Sequence, residues 1–445
     1  MTTQTPAAHP ASTTSADLFA RAQEVLPGGV SRNAVLRDPC PVYADHARGC
    51  RVTDIEGVTR LDFANNMASL IHGHADPDII GAVTAQLNRG TAFNMATEIE
   101  VRYAELLHAR NPGFEKLRFV NSGTEAIMVA LKAARAFTGK PMIAKAEGAY
   151  HGIYDYAEVS QSPSSSNWGD LDNPSRVPLV HGTPQSVLDD VAIFPFNDTD
   201  RAIAILNKHA DKLACVLLDL MPHRAGLHPA SPEFVAAIRE WTTRRGILLV
   251  LDEVITFRSE YAGLQSHYGV TPDLTALGKI IGGGFPIGAV AGRADIMDVL
   301  NPQSPRMLFP HSGTFSANPI STTAGLTAMQ KFDRAAVTRL NTLADRAKAG
   351  IAKAIRDTGV PASITGHGSM FRIHMKPTPP RDYRAAYPTP EENRRLKALL
   401  QHLFDRGVVL INSGTATLST PMTQAEIDTL VDAFRSSFEQ MAATA

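Results

Sequence analysis

Cysteine is scarce in this chain, with Cys40, Cys50 and Cys215 the only three among 445 residues. So small and odd a number excludes a disulfide scaffold and predicts a reducing, cytoplasmic compartment. An excess of either charge is also lacking. The 43 Lys and Arg against 44 Asp and Glu leave a net charge of −1, which gives no basic surface for nucleic acid or an anionic membrane. No apolar run approaches the ~20 residues that cross a bilayer. Internal repeats are absent, and so is any metal-ligand spacing. His72 and His74 have no further ligands beside them and read as structural histidines. Residues 1–16 have no apolar core, only Thr, Ala, Pro and Ser in quantity, which predicts a disordered tail and not a signal peptide.

What is present is a chain that is 44% hydrophobic, enough for a large core in two domains. From residue 116 to 250 short apolar strands alternate with helical patterns, the signature of a mainly parallel sheet covered by helices. Three places in that pattern carry chemistry. The apolar segment Leu274 to Leu277 stops at Gly278, presents Lys279, and runs into Gly282, Gly283 and Gly284. A lysine with apolar flanks is desolvated, its pKa falls, and its neutral amine becomes a nucleophile. Alone, such a lysine snorkels its charge to water. Twenty-seven positions earlier, roughly one βα unit away, Asp252 ends the apolar strand that begins at Ile247. In open α/β sheets that edge is where ligands bind. Finally, a strand turns through Asn121, Ser122, Gly123 and Thr124 into a helix with Ile127, Ala130, Leu131 and Ala134 on one face. Free amides and hydroxyls at a helix start suit a phosphate.

An amine, a carboxylate and a phosphate cradle are the needs of one cofactor, pyridoxal 5′-phosphate, for its aldehyde, ring nitrogen and phosphate. The motifs Pro27-Gly-Gly29, Asn121-Ser-Gly-Thr-Glu-Ala126, Glu147-Gly-Ala-Tyr-His-Gly152, Asp252-Glu-Val254, Gly278-Lys279 and Ser312-Gly-Thr-Phe315 occur in that order. In this the chain resembles the class III, fold-type I aminotransferases, in the subgroup of glutamate-1-semialdehyde aminomutase, from about Val25 to the C-terminus. The resemblance implies an α/β fold with a mainly parallel central sheet covered by helices, plus a smaller α+β domain. It divides the chain into the tail 1–16, an N-terminal segment 17–63 joining the small domain, a large cofactor-binding domain 64–325 and a small domain 326–445. It implies Lys279 and Asp252 as catalytic residues. Cofactor contacts would come from Ser122, Gly123, Thr124, Tyr150 (flat against the ring), His151 and Asp219, together with Thr314 from a neighbouring subunit. A homodimer with shared active sites follows. The partners would be an amine or amino-acid donor and a 2-oxo acid acceptor in a ping-pong cycle.

The substrate signals are two arginines. Arg32 interrupts an apolar stretch, and Arg224 follows the Asp219 strand, where relatives have neither this arginine nor Asp-Leu in place of Glu-Pro. Each either reads a substrate carboxylate or pairs with a protein carboxylate. The pattern is most similar to the β-amino acid (β-phenylalanine) aminotransferases, whose substrate arginine matches Arg32. A second arginine of that group is replaced near Asn412. The expected reaction is transamination of a β-amino acid or bulky amine. Its alternatives are a 2,1-aminomutase and a non-catalytic cofactor-binding protein. The glycines at 282–288 lack dinucleotide-loop spacing, and the proline-rich stretch at 377–381 reads as a surface loop. Residues 161–173, rich in Ser, Pro and Asn, are expected to form a mobile loop over the site. Residues 43–63 read as a two-stranded hairpin, and one long helical run is expected from Asn318 to about Thr358.

Overall fold

The computed structural model describes residues 14–443. Near the N-terminus, Thr14 caps the helix Ser15–Val25 by a reciprocal exchange with Asp17. Residues 14–16 are therefore helix and cap, not the end of the expected tail; positions 1–13 lie outside the described residues. The segment expected as a hairpin has three antiparallel strands, Ala44–Arg48, Arg51–Asp54 and Thr59–Asp62. Its last strand pairs in parallel with Val408–Val409, more than 300 positions later.

The fold is α/β, centred on a seven-stranded sheet. Its spatial order is Lys116–Val120, Gly288–Gly292, Leu274–Gly278, Leu248–Asp252, Leu213–Leu218, Met142–Ala146 and Val191–Phe194. Gly288–Gly292 runs antiparallel to both its neighbours, and the other pairings are parallel. The strands Leu213–Leu218, Leu248–Asp252 and Leu274–Gly278 are buried at every position. That is why they read as unbroken apolar runs and not as alternations. A three-stranded antiparallel sheet of Ser363–Thr365, Met370–His374 and Thr415–Thr417 stands apart. It is packed by the helices Arg334–Thr358, Pro390–Asp405 and Gln424–Ala443.

The long run expected after Asn318 is two helices, Pro319–Lys331 and Arg334–Thr358. Phe332 leaves helical geometry, and the Asp333 carboxylate accepts the Ala336 amide at 2.8 Å, so a fresh N-cap starts the second helix. Residues 161–173 are not a free loop. The Tyr383 hydroxyl donates to the Pro163 carbonyl (2.6 Å), Arg384 donates to the carbonyls of Trp168 and Gly169, and Gly169–Asp170 pairs with Asn173–Pro174. Composition marked this segment as loop, but not the side chains that catch its carbonyls. No described helix is long and apolar enough to cross a membrane.

Candidate active site

Four of the parallel strands deliver their chemistry at the same edge. Asp219 follows Leu213–Leu218, Asp252 ends its strand, Lys279 follows Leu274–Gly278, and Gly148 to Gly152 follow Met142–Ala146. They meet in a cleft of about 540 Å³ lined by Ser122, Gly123, Thr124, Tyr150, His151, Asp219, Asp252 and Lys279, with Ile127, Gly152, Val254 and Ile255. Eight residues named from the sequence are thus brought together. Thr314 is exposed and outside the cleft, and Arg224 and Arg32 do not line it.

The helix Gly123–Thr138 starts at the cleft, capped by Ser122 Oγ on the Glu125 amide (3.1 Å). Its first amides, of Gly123 and Thr124, have no acceptor inside the helix and carry the positive end of its dipole. Gly123 is required by packing: a Cβ there would lie 2.7 Å from Val254 Cγ1. Having no Cβ there lets the helix start meet the turn that follows the Asp252 strand.

Lys279 has a φ of +48°, left-handed geometry that costs a non-glycine residue of order 1 kcal/mol or more and that clusters at functional positions. Burial lowers its pKa, against the opposing pull of Asp252 and Asp219. Asp252 accepts from the Val254 amide (3.0 Å) and from His151 Nδ1 (2.7 Å). That bond assigns the proton of a neutral imidazole to Nδ1, which leaves Nε2 an acceptor, buried and without a partner. Burial pushes the pKa of His151 down. Asp219 is buried, and its pKa is driven well up, first by desolvation and then by the nearby Asp252 charge. Of the two carboxyls, Asp219 is the one pressed toward its protonated form. Beneath the Tyr150 turn, Lys145 is wholly buried, with its pKa lowered by desolvation to about 7, and donates to the carbonyls of Ala149 and Val159. Sequence reading missed this prop, because a lysine inside a strand carries no outward signal of what lies above it.

The histidines expected to be structural are satisfied. His72 bonds Thr420 and the Ala328 carbonyl, and His74 bonds Asp62. Arg32 lines a separate cavity of about 890 Å³ and donates to Asn66 Oδ1 at 2.7 Å. Asn66 sits in a run of four positive φ angles, Asn65 to Ala68. The buried Asn65 anchors that run by donating to the Thr417 carbonyl at 2.7 Å. Arg224 donates to Ser162 Oγ, and its guanidinium lies 5.7 Å from the centre of the Tyr150 ring, at the rim of the Lys279 cleft.

The cleft therefore offers a lysine amine, two carboxyls, an unpartnered imidazole nitrogen and a helix start with free amides. That donor set fits pyridoxal 5′-phosphate. A family model for class III aminotransferases matches residues 33–439. The chain belongs to that family. It is a pyridoxal phosphate-dependent aminotransferase of fold type I. Among solved structures, an omega-transaminase from Sphaerobacter thermophilus is 49% identical, with a TM-score of 0.94 and 98% of each chain covered. A β-phenylalanine aminotransferase from Variovorax paradoxus is 32% identical, with a TM-score of 0.84 and coverage of 96% of this chain and 94% of that one. Among curated proteins, the glutamate-1-semialdehyde 2,1-aminomutase of Methanobrevibacter smithii is 37% identical over 366 residues, 82% of this chain and 84% of the relative.

Proposed function

We propose that this aminotransferase moves an amino group from a β-amino acid or bulky amine to a 2-oxo acid, with Arg32 and Arg224 reading substrate carboxylates. The observation that carries the substrate reading is the state of these two arginines. Among the described residues neither is paired with a carboxylate; each spends its side-chain hydrogen bond on a neutral oxygen, of Asn66 or Ser162. Arg60, Arg239, Arg293 and Arg384 all hold carboxylates. A guanidinium left with a neutral partner keeps its fork free for an incoming carboxylate. The likeness to the omega-transaminase and to the β-phenylalanine enzyme supports the same reading. The aminomutase relatives favour a second one, transfer within a single molecule. Dependence of turnover on an added 2-oxo acid separates the two.

Pyridoxal 5′-phosphate supplies an aldehyde to carry the amino group and a ring to draw electrons from the adjacent carbon. Lys279 would hold the aldehyde, and its amine, neutral when released, would stand beside the substrate carbon to take a proton there as base and give it back as acid. Asp252 would keep the ring nitrogen protonated, with His151 fixing the carboxylate for that task. Ser122, Gly123 and Thr124 would hold the phosphate and Tyr150 would lie against the ring, with Asp219 in the same cleft as Asp252.

The donor half-reaction tests the arginines, because it needs no acceptor. Arg32→Ala and Arg224→Ala should each lower its kcat/KM for β-amino acids by about 10- to 100-fold, the scale of a charged hydrogen bond. Arylalkyl amines, having no carboxylate, should react at nearly the unaltered rate. Equal losses on both substrate types would make these arginines structural.

A homodimer with shared sites is part of the same proposal. Thr314 is exposed in a lone chain, and Phe93, Met95, Ile153, Met307, Leu308 and Phe315 are exposed as well. A partner chain laid over Thr314 would cover those of them that lie beside it. Mixed dimers of Lys279→Ala with Thr314→Ala chains should regain activity over either parent, since one site then carries both defects and the other none. No regain in verified heterodimers would remove Thr314 from the partner's site.

A further inference from the structure

We propose that Glu260, His267 and His367 form a binding site for a divalent transition-metal ion of the zinc class, with water completing the coordination. One ligand atom from each residue lies within 4.8 Å of the others. His367 Nε2 stands 3.2 Å from Glu260 Oε1, and the His267 and His367 ring centres are 4.6 Å apart, with planes at 51°. A tetrahedral ion with bonds of ~2.0–2.1 Å needs its ligand atoms roughly 3.3 Å apart. Small side-chain rotations close the gap. Two imidazoles and one carboxylate are the ligand types that select zinc, nickel, cobalt or copper over magnesium and calcium.

The three residues come from two parts of the fold. Glu260 and His267 belong to the segment after the Asp252 strand, and His367 belongs to the turn between Ser363–Thr365 and Met370–His374. Both parts are held in place. Glu253, fully buried, accepts from Thr256 Oγ1 (2.7 Å) and from the amides of Leu264 (3.0 Å) and Gln265 (2.7 Å), which fixes the loop carrying Glu260 and His267. Opposite, Gly368 packs so tightly that a Cβ would lie 2.9 Å from Ser259 Cα, and Arg258 Nε donates to Ser369 Oγ at 3.0 Å. The ligand positions are thus set by supporting contacts before any ion arrives, as a usable site requires. Glu260 and His367 are half-buried and His267 is exposed, so an ion can enter from solvent.

None of the three residues lines the Lys279 cleft. An ion here would tie the three-stranded sheet to the loop behind Asp252, as a clasp rather than a catalyst. The reading of the sequence as holding no metal ligands would then be corrected. Glu260 and His367 are 107 positions apart, so no local spacing could reveal them.

The untagged holoenzyme, stripped with chelator, should bind one zinc ion per chain in titration calorimetry and gain thermal stability as it does so. Cobalt should give visible bands beyond the cofactor's own absorption. His267→Ala and His367→Gln should each weaken zinc binding by at least about 10-fold, and should abolish the thermal shift at an ion concentration that saturates the unaltered chain. His267 is exposed, so its variant keeps the fold; cofactor absorbance and circular dichroism verify this. Absence of saturable zinc binding in the unaltered holoenzyme would overturn the proposal. So would binding left unchanged by both substitutions.

Discussion

Replacing Lys279 by alanine is expected to lower turnover by about 10⁴-fold or more, the upper range for losing a positioned acid–base group. The expectation rests on where the lysine stands. Its strand ends at Gly278, its own backbone is left-handed, and its amine lies among Asp252, Asp219 and apolar surface. Burial lowers the pKa, so a larger share of the amine is neutral at a given pH than for a free lysine at ~10.4. Reattachment of cofactor to the apo-protein uses the neutral amine, so its rate should rise with pH and level off below that value. Asp252 and Asp219 pull the other way, favouring the charged form. Asp252→Asn should therefore move the levelling point to still lower pH. Borohydride treatment should fix the cofactor's mass on the peptide containing Lys279. An alanine variant that turns over amines at the unaltered rate would refute the assignment.

The site was legible in the sequence because each of its parts is local. A run of buried parallel strand is continuously apolar, and the residue at its end is displayed at the functional edge; Lys279 and Asp252 announce themselves in this way, whereas Asp219 was named only through the family resemblance. The turn proposed to hold phosphate is one strand-to-helix corner with Ser122 as its cap. What was not legible depends on distance along the chain. The bond from His151 to Asp252 spans 101 positions, and the pairing of Thr59–Asp62 with Val408–Val409 spans more than 300. The ties of residues 161–173 were hidden for a related reason: their Ser, Pro and Asn content reports a loop, while Tyr383 and Arg384, which bond its carbonyls, are over 200 positions away. The break at Phe332 is a different case. Asp333 was a readable cap, hidden by helical periodicity on both sides of it.

Asp252→Asn keeps the shape of the side chain and removes its charge, and should lower kcat by at least about 10²-fold, the low end for one preorganised electrostatic contact. The carboxylate is fixed on both oxygens, by the Val254 amide on one and His151 Nδ1 on the other. Such a clamp leaves it little freedom to reorient, so its charge acts from a set position. An asparagine cannot satisfy the same environment: turned one way its amide nitrogen faces the Val254 N–H, and turned the other it faces the His151 N–H. Either arrangement sets donor against donor in a buried place, at a cost of ~1–3 kcal/mol unless the imidazole changes its tautomer. His151 can change, since Nε2 has no protein partner in the described structure. That change would carry the proton to Nε2 and weaken the histidine's grip on residue 252. Asp219 is a poor replacement for the lost charge, because burial presses it toward the neutral acid. Removing Asp252's repulsion relieves part of that pressure, so a residual rate that rises with pH in Asp252→Asn would report Asp219 ionising in its stead. The double variant Asp219→Asn/Asp252→Asn should lose that rise. Near-normal kcat in Asp252→Asn, with cofactor absorbance intact, would place the ring-nitrogen role on another residue.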